Sequence, residues 1–277
     1  MMRSETILIL GGNGKTGRRV AERLTAKGKD VRLASRSTVP AFDWTDPSGW
    51  AAALEGADAA YISYQPDLAV PGAVEAIGTL ARLAIEKGVK HLILLSVRGE
   101  DEALAAEEAL KHSGVAYTII RASWFFQNFS EAFLLEGIQA GELILPVGDV
   151  RDPFIDADDI ADVAVAALTE PGHAATTYEV TGPRLMTFGG AVAEIARQTG
   201  RDIRFTTVEI GDYVAMLEEA QIPADDIWLI RYLFTSVLDG RNQSVTDGVV
   251  QALGRPPRDF ADFVRKTAAT GVWENLK

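Results

Sequence analysis

Short aliphatic runs alternate with amphipathic stretches through roughly the first 120 residues. The candidate strands are Thr6–Leu10 and residues 30–35, 59–63, 91–96 and 116–121; helical patterns cover 15–27, 47–54, 72–87 and 101–112 between them. The strand segments are near-continuous Ile, Leu and Val runs, the pattern of parallel strands covered on both faces. Strand and helix in strict alternation predict an α/β fold with a doubly wound parallel sheet. Gly28, Gly56, Gly88 and Gly114 each follow a helical pattern just before the next strand. A glycine there can take the left-handed conformation that closes a helix.

After Arg121 the rhythm loosens. Trp124-Phe125-Phe126 leads into a helical stretch to about residue 136, followed by a strand at 143–145 and a turn at 146–148. Phe154-Ile155 reads as a short extended piece, 158–168 as a helix capped by Asp156 or Asp158, and 178–180 as a strand. From Thr187 onward the pattern is mostly helical, with one further strand at 203–208. The expected organisation is a first domain over 1–150 with a return to its sheet near 154–182. A smaller, mostly helical substrate region follows over 183–277.

Composition narrows the chemistry. The 277 residues include no cysteine, so disulfides, thiolate metal sites and a cysteine nucleophile are excluded. His91, His112 and His173 share no metal-ligand spacing, and no metal is expected. A formal net charge of −12 repels nucleic acid and anionic membrane in the absence of a basic cluster. No apolar run is long enough to span a bilayer. A cytoplasmic protein acting on a small molecule is therefore expected, with homodimerisation left open.

The strongest motif is Gly11-Gly12-Asn13-Gly14-Lys15-Thr16-Gly17, directly after one strand and opening a helix. Gly12, Gly14 and Gly17 satisfy GxGxxG; Gly11, Gly14 and Gly17 satisfy GxxGxxG. Glycines let the backbone turn tightly and approach a pyrophosphate, and the helix N-terminus presents N–H groups to it. A P-loop would need glycine where Ile9 stands. The loop predicts a Rossmann-like dinucleotide site.

The second strand decides which dinucleotide. An NAD site places Asp or Glu at its end for the ribose hydroxyl. Here the strand ends in Ser35-Arg36-Ser37, and a guanidinium with two hydroxyls suits a 2′-phosphate. NADP(H) is thus expected over NAD(H), with Lys15 adding charge. Arg36 can also be read as a solvated surface cation. Asp43 could meet the adenine edge or serve only as a turn residue. Tyr61 and Ser63 end the third strand beside the loop and complete the expected cofactor contacts.

These residues resemble the NmrA-like group of atypical short-chain dehydrogenases. The likeness is carried by the 11–17 loop, Ala34-Ser35-Arg36-Ser37, residues 88–96 and 113–121, Trp124-Phe125-Phe126-Gln127-Asn128-Phe129, Asp158-Asp159-Ile160-Ala161 and Thr181-Gly182-Pro183. It runs in family order across roughly residues 6–200 and is vague beyond. The resemblance implies a Rossmann domain, a smaller helical domain and a substrate cleft between them. It extends to quinone reductases and ergot-pathway iminium reductases, and the group also contains regulators that bind the dinucleotide without turnover.

Ordinary members of the superfamily use a Tyr-x-x-x-Lys pair, in which lysine lowers the tyrosine pKa. The helix after Ser96 contains no tyrosine, and its lysine, Lys111, lies at the far end. Two functions fit that departure. One is an NADPH-dependent reductase of a planar conjugated acceptor such as a quinone or iminium, which accepts hydride without a protein acid. The other is an NADP(H)-sensing regulator acting through a protein partner. For the reductase, Tyr64 and Ser96 are the candidate catalytic residues, at the ends of the third and fourth strands. Trp124, Phe125, Asn128, Trp228 and Tyr232 are candidate contacts for a planar substrate, although aromatic residues of this kind also fill cores.

Overall fold

The computed structural model describes residues 5–274. Two compact units divide the chain. The first takes in Met1–Ala122, Ala157–Val180 and Asp247–Arg255; the second takes in Ser123–Asp156, Thr181–Thr246 and Pro256–Lys277.

In the first unit, β1 (Thr6–Leu10), α1 (Lys15–Ala26), β2 (Asp30–Ala34), α2 (Trp50–Leu54), β3 (Ala59–Ile62), α3 (Ala73–Glu86), β4 (His91–Val97), α4 (Asp101–Lys111) and β5 (Ala116–Ala122) follow the predicted alternation. The second unit contributes α5 (Asn128–Glu131), α6 (Leu134–Ala140) and β6 (Glu142–Leu145). The chain then returns to the first with α7 (Ala157–Thr169) and β7 (Thr176–Val180). The six-stranded sheet has the order β2-β1-β3-β4-β5-β7, every pair parallel. Leu8 and Leu10 join Ile62, Leu92 and Leu94 in a core with α2, α3 and α4. Ile7 and Ile9, on the opposite face by strand alternation, are equally buried, and α1 packs with α7. Gly28, Gly56, Gly88 and Gly114 have φ between 72° and 90°, the left-handed conformation their positions predicted.

The second unit continues with α8 (Phe188–Thr199), β8 (Arg204–Thr207), α9 (Ile210–Glu219) and α10 (Ala224–Tyr232), and closes with α12 (Phe260–Ala268). The short α11 (Gly248–Leu253) between them lies in the first unit. β6 and β8 form a parallel pair over a core of Phe126, Phe129, Phe154, Phe188, Phe260 and Trp273. The Trp273 indole N–H donates to the Phe129 carbonyl at 2.8 Å, which satisfies the polar edge of a fully buried ring.

Two features differ from the linear pattern. Residues 123–150, read with the first domain, fold into the second unit, because their aromatic side chains pack with α8 and α12 and not on the sheet. Phe154-Ile155 is no strand: Ile155 makes an isolated bridge to Phe125, and the preceding Pro153 has no N–H to extend a ladder.

Candidate functional site

At the C-terminal ends of β1, β2 and β3 lies a cavity of about 650 Å³, entirely within the first unit. Open α/β sheets bind ligands at this edge. Its lining brings together Gly11, Asn13, Gly14, Ser35, Arg36, Ser37 and Asp43, seven of the residues singled out in the sequence.

The glycine loop is tightly wound. Gly11 has φ +80°, and the Gly14 N–H donates to its carbonyl at 2.9 Å. A Cβ on Gly17 would collide with the Gly11 carbonyl, and one on Gly12 would lie 2.8 Å from Leu33 Cδ2. These two glycines keep loop, helix and second strand in close contact without lining the cavity. Gly14 stands at the N-terminus of α1, where no side chain caps the helix. The first turn thus offers its amides and the positive end of the dipole to an anion. Lys15 and the buried Thr16 begin that helix.

At the end of β2 the Ser35 and Ser37 hydroxyls lie 3.1 Å apart, and Arg36 is exposed. Asp43 Oδ1 accepts from the Thr45 N–H at 2.9 Å and from its hydroxyl at 2.8 Å. Those hydrogen bonds, with a smaller contribution from Arg36, hold its carboxyl below the ordinary aspartate range. The Asp43 carbonyl also accepts from the Trp50 indole at 2.6 Å.

Five cavity residues escaped the sequence reading: Phe42, Trp44, Thr45, Gln65 and Pro66. Trp44 stands edge-on to Phe42 at 4.8 Å and tilted against Tyr64 at 4.6 Å. The available signal was an aromatic residue on each side of Asp43, and a Gln-Pro step just past a strand end.

The other singled-out residues of this unit lie outside the lining. Ser63 backs the loop: a Cβ on Gly11 would meet its carbonyl at 3.0 Å. Tyr61 is wholly buried beside the Thr16 hydroxyl, and burial pushes its phenol well above the usual range. Tyr64 is half-buried against Trp44, and burial raises its pKa too. Ser96 is 1% exposed and donates to Glu107 at 2.6 Å.

In the second unit, Trp124 packs on Phe188 and Phe234 at 5.4 and 5.7 Å, and the Asn128 N–H donates to the Phe125 carbonyl. Trp228 and Tyr232 stack on α10 at 5.7 Å with their planes 8° apart, and Trp228 is 46% exposed. Trp228 also borders a second cavity of about 620 Å³ between α9 and α10.

Residues 11–171 match a family described as NAD(P)H-binding. Agroclavine dehydrogenase of Claviceps fusiformis is 30% identical over 278 residues, spanning 94% of this chain and 96% of that protein. NAD(P)H azoreductase of Xenophilus azovorans is 29% identical over 289 residues, spanning 95% and 98%. The crystal structure of NmrA, a negative transcriptional regulator, in complex with NADP superposes with a TM-score of 0.73 at 16% identity, covering 98% of this chain and 97% of that one. No helix among the described residues is long and apolar enough to cross a membrane. The sheet, the glycine cradle and these full-length likenesses lead to one conclusion: the chain belongs to the NAD(P)H-binding family, which its matched residues and its dehydrogenase and azoreductase relatives share, with the fold of NmrA.

Proposed function

We propose that this protein is an NADPH-dependent reductase that passes hydride to a planar conjugated acceptor such as a quinone or an iminium. The observation that carries the reading is the cavity that runs from the glycine loop to Ser35, Arg36 and Ser37, with no acid at the end of β2. The α1 amides and the Gly11–Gly14 turn would hold the pyrophosphate. Arg36 and the two serines would hold a 2′-phosphate through charge-assisted bonds, whereas the free hydroxyl of NAD would find no carboxylate there. Trp44, with Asp43 beside it, would hold the adenine ring.

The bound dinucleotide supplies the hydride. The chain's own contribution is binding, orientation and exclusion of water. α4 carries no tyrosine that could donate a proton, which directs the reading to acceptors already electrophilic. An azo group, the chemistry in the name of one relative, is also planar and conjugated. Trp124, Phe125, Asn128, Trp228 and Tyr232 are proposed to receive the acceptor, and Tyr64 to border the cofactor. Ser96 is proposed to act by fixing Glu107.

Optical NADPH consumption against a panel of quinones, cyclic imines and azo dyes tests the reading. Saturable consumption by the pure protein supports it. Tight NADPH binding with no turnover on any member of the panel overturns it in favour of a dinucleotide sensor.

A further inference from the structure

One acidic residue has no place in the chemistry above. Glu100 sits between β4 and α4 and is 0% exposed, and neither of its carboxylate oxygens has a donor in hydrogen-bond geometry. It precedes a helix, yet its side chain makes no capping bond. Its polar neighbour is the Asp67 carboxyl, the strongest charge acting on it. A neighbouring carboxylate opposes the ionisation of a carboxyl that burial already disfavours, so a proton is held at the pair.

Asp67 and Glu102 are the charges acting on Glu100, both negative. Arg98, two residues earlier, donates to Glu179 at 2.6 Å. Asp67 Oδ1 already accepts from the Ala69 N–H at 2.9 Å, which favours its ionised form. The proton therefore resides on Glu100. Burial, reinforced by the Asp67 charge, pushes its carboxyl up to about 9.

The pair joins two loops at the ligand-binding edge of the sheet. Asp67 follows Gln65 and Pro66, which line the dinucleotide cavity, and Glu100 anchors it from the end of β4. We propose that Glu100 and Asp67 form a proton-bridged clip that positions the Gln65–Pro66 wall, and that loss of the shared proton in alkali releases the wall and weakens dinucleotide binding. Glu100 is thus a positioning residue. The inference rests on the reading that this cavity holds the cofactor.

Two measurements on wild type, Glu100→Gln and Glu100→Leu decide it. The first is NADPH affinity by fluorescence titration from pH 7 to 10. Wild-type affinity should hold to about pH 8 and fall above about pH 9, approaching about tenfold per pH unit. Glu100→Gln, whose amide donates to Asp67 at every pH, should rescue binding and remove that fall. Glu100→Leu should bind weakly throughout. Parallel curves for wild type and Glu100→Gln overturn the clip.

The second is denaturant stability without cofactor. Folded Glu100 keeps a proton that the unfolded chain releases from its ordinary value of 4.5. Wild type should therefore lose stability relative to Glu100→Gln as pH rises from that value to about 9, and level off beyond. Coincident stability profiles overturn the shared proton whatever the cofactor does. A stability difference in a protein that binds no NADPH at any pH keeps the acid pair and overturns both its coupling to the cavity and the cofactor reading.

Discussion

Arg121 grips Glu107 with two parallel bonds, Nε to Oε1 at 2.9 Å and Nη2 to Oε2 at 2.5 Å, while the Ser96 hydroxyl donates to the same Oε1 at 2.6 Å. Glu107 is fully buried, and its hydrogen bonds raise the Arg121 pKa above its usual value. Lys111 and Glu179 extend the network at 3.7 and 3.8 Å. A carboxylate so enclosed joins α4 to β4 and β5. Glu107→Ala should cost about 3 kcal/mol in urea unfolding, because the arginine is left partly buried without its partner. Ser96→Ala should cost about 1 kcal/mol and leave turnover within about twofold. A large fall in kcat with stability intact would give Ser96 a role in the chemistry instead.

Arg36→Ala tests cofactor choice. Losing a charge-assisted contact worth about 2 kcal/mol should weaken NADPH binding roughly thirtyfold. NADH, which has no 2′-phosphate, should change by less than about twofold. Equal losses in paired titrations would remove Arg36 from cofactor recognition.

Gly17→Ala places a methyl group against the Gly11 carbonyl, a backbone atom that cannot swing aside. NADPH affinity should fall by more than about tenfold, together with a drop in Tm of several degrees. Gly211→Ala is the matched control. Its Cβ would enter open space in α9, and alanine favours a helix by about 0.5–1 kcal/mol. That variant should keep full affinity and gain slightly in Tm.

Tyr64→Phe separates pre-activated acceptors from those that need an acid. With a quinone or iminium, kcat should fall by less than about tenfold, since a general acid is worth about 10²–10⁴. Trp44→Ala should act differently, raising KM for NADPH with little change in kcat, because Trp44 lines the cavity and supports Tyr64.

The chain's local rules were legible wherever neighbours in sequence are also neighbours in the fold. Gly28, Gly56, Gly88 and Gly114 punctuate the helices because a single backbone angle decides each of them. The tight Gly11–Gly17 turn and the place of Arg36 at the end of β2 were legible for the same reason, since loop and strand end are runs of consecutive residues. What could not be read depends on distant partners. Asp67 and Glu100 meet only because β3 and β4 are adjacent in the sheet. Ser96 reads as a hydroxyl at a strand end until Glu107 is brought above it. Trp44 lies beyond β2 in a segment with no periodicity, where its place beside Asp43 is the one local mark of a cavity wall. Gly248 gives no sign by itself that its backbone must press against that of Glu179.

That last contact bears on how the molecule can be built. The chain passes between its two units five times, and α11 re-enters the first unit beside β7 late in the sequence. Neither unit is therefore a contiguous stretch of gene. A fragment ending at residue 150 would lack α7, β7 and α11, and would leave β5 as a bare sheet edge able to recruit strands from other chains. On the ribosome, the dinucleotide-binding unit stays unfinished until residue 255 has emerged, although its glycine loop is among the first segments made.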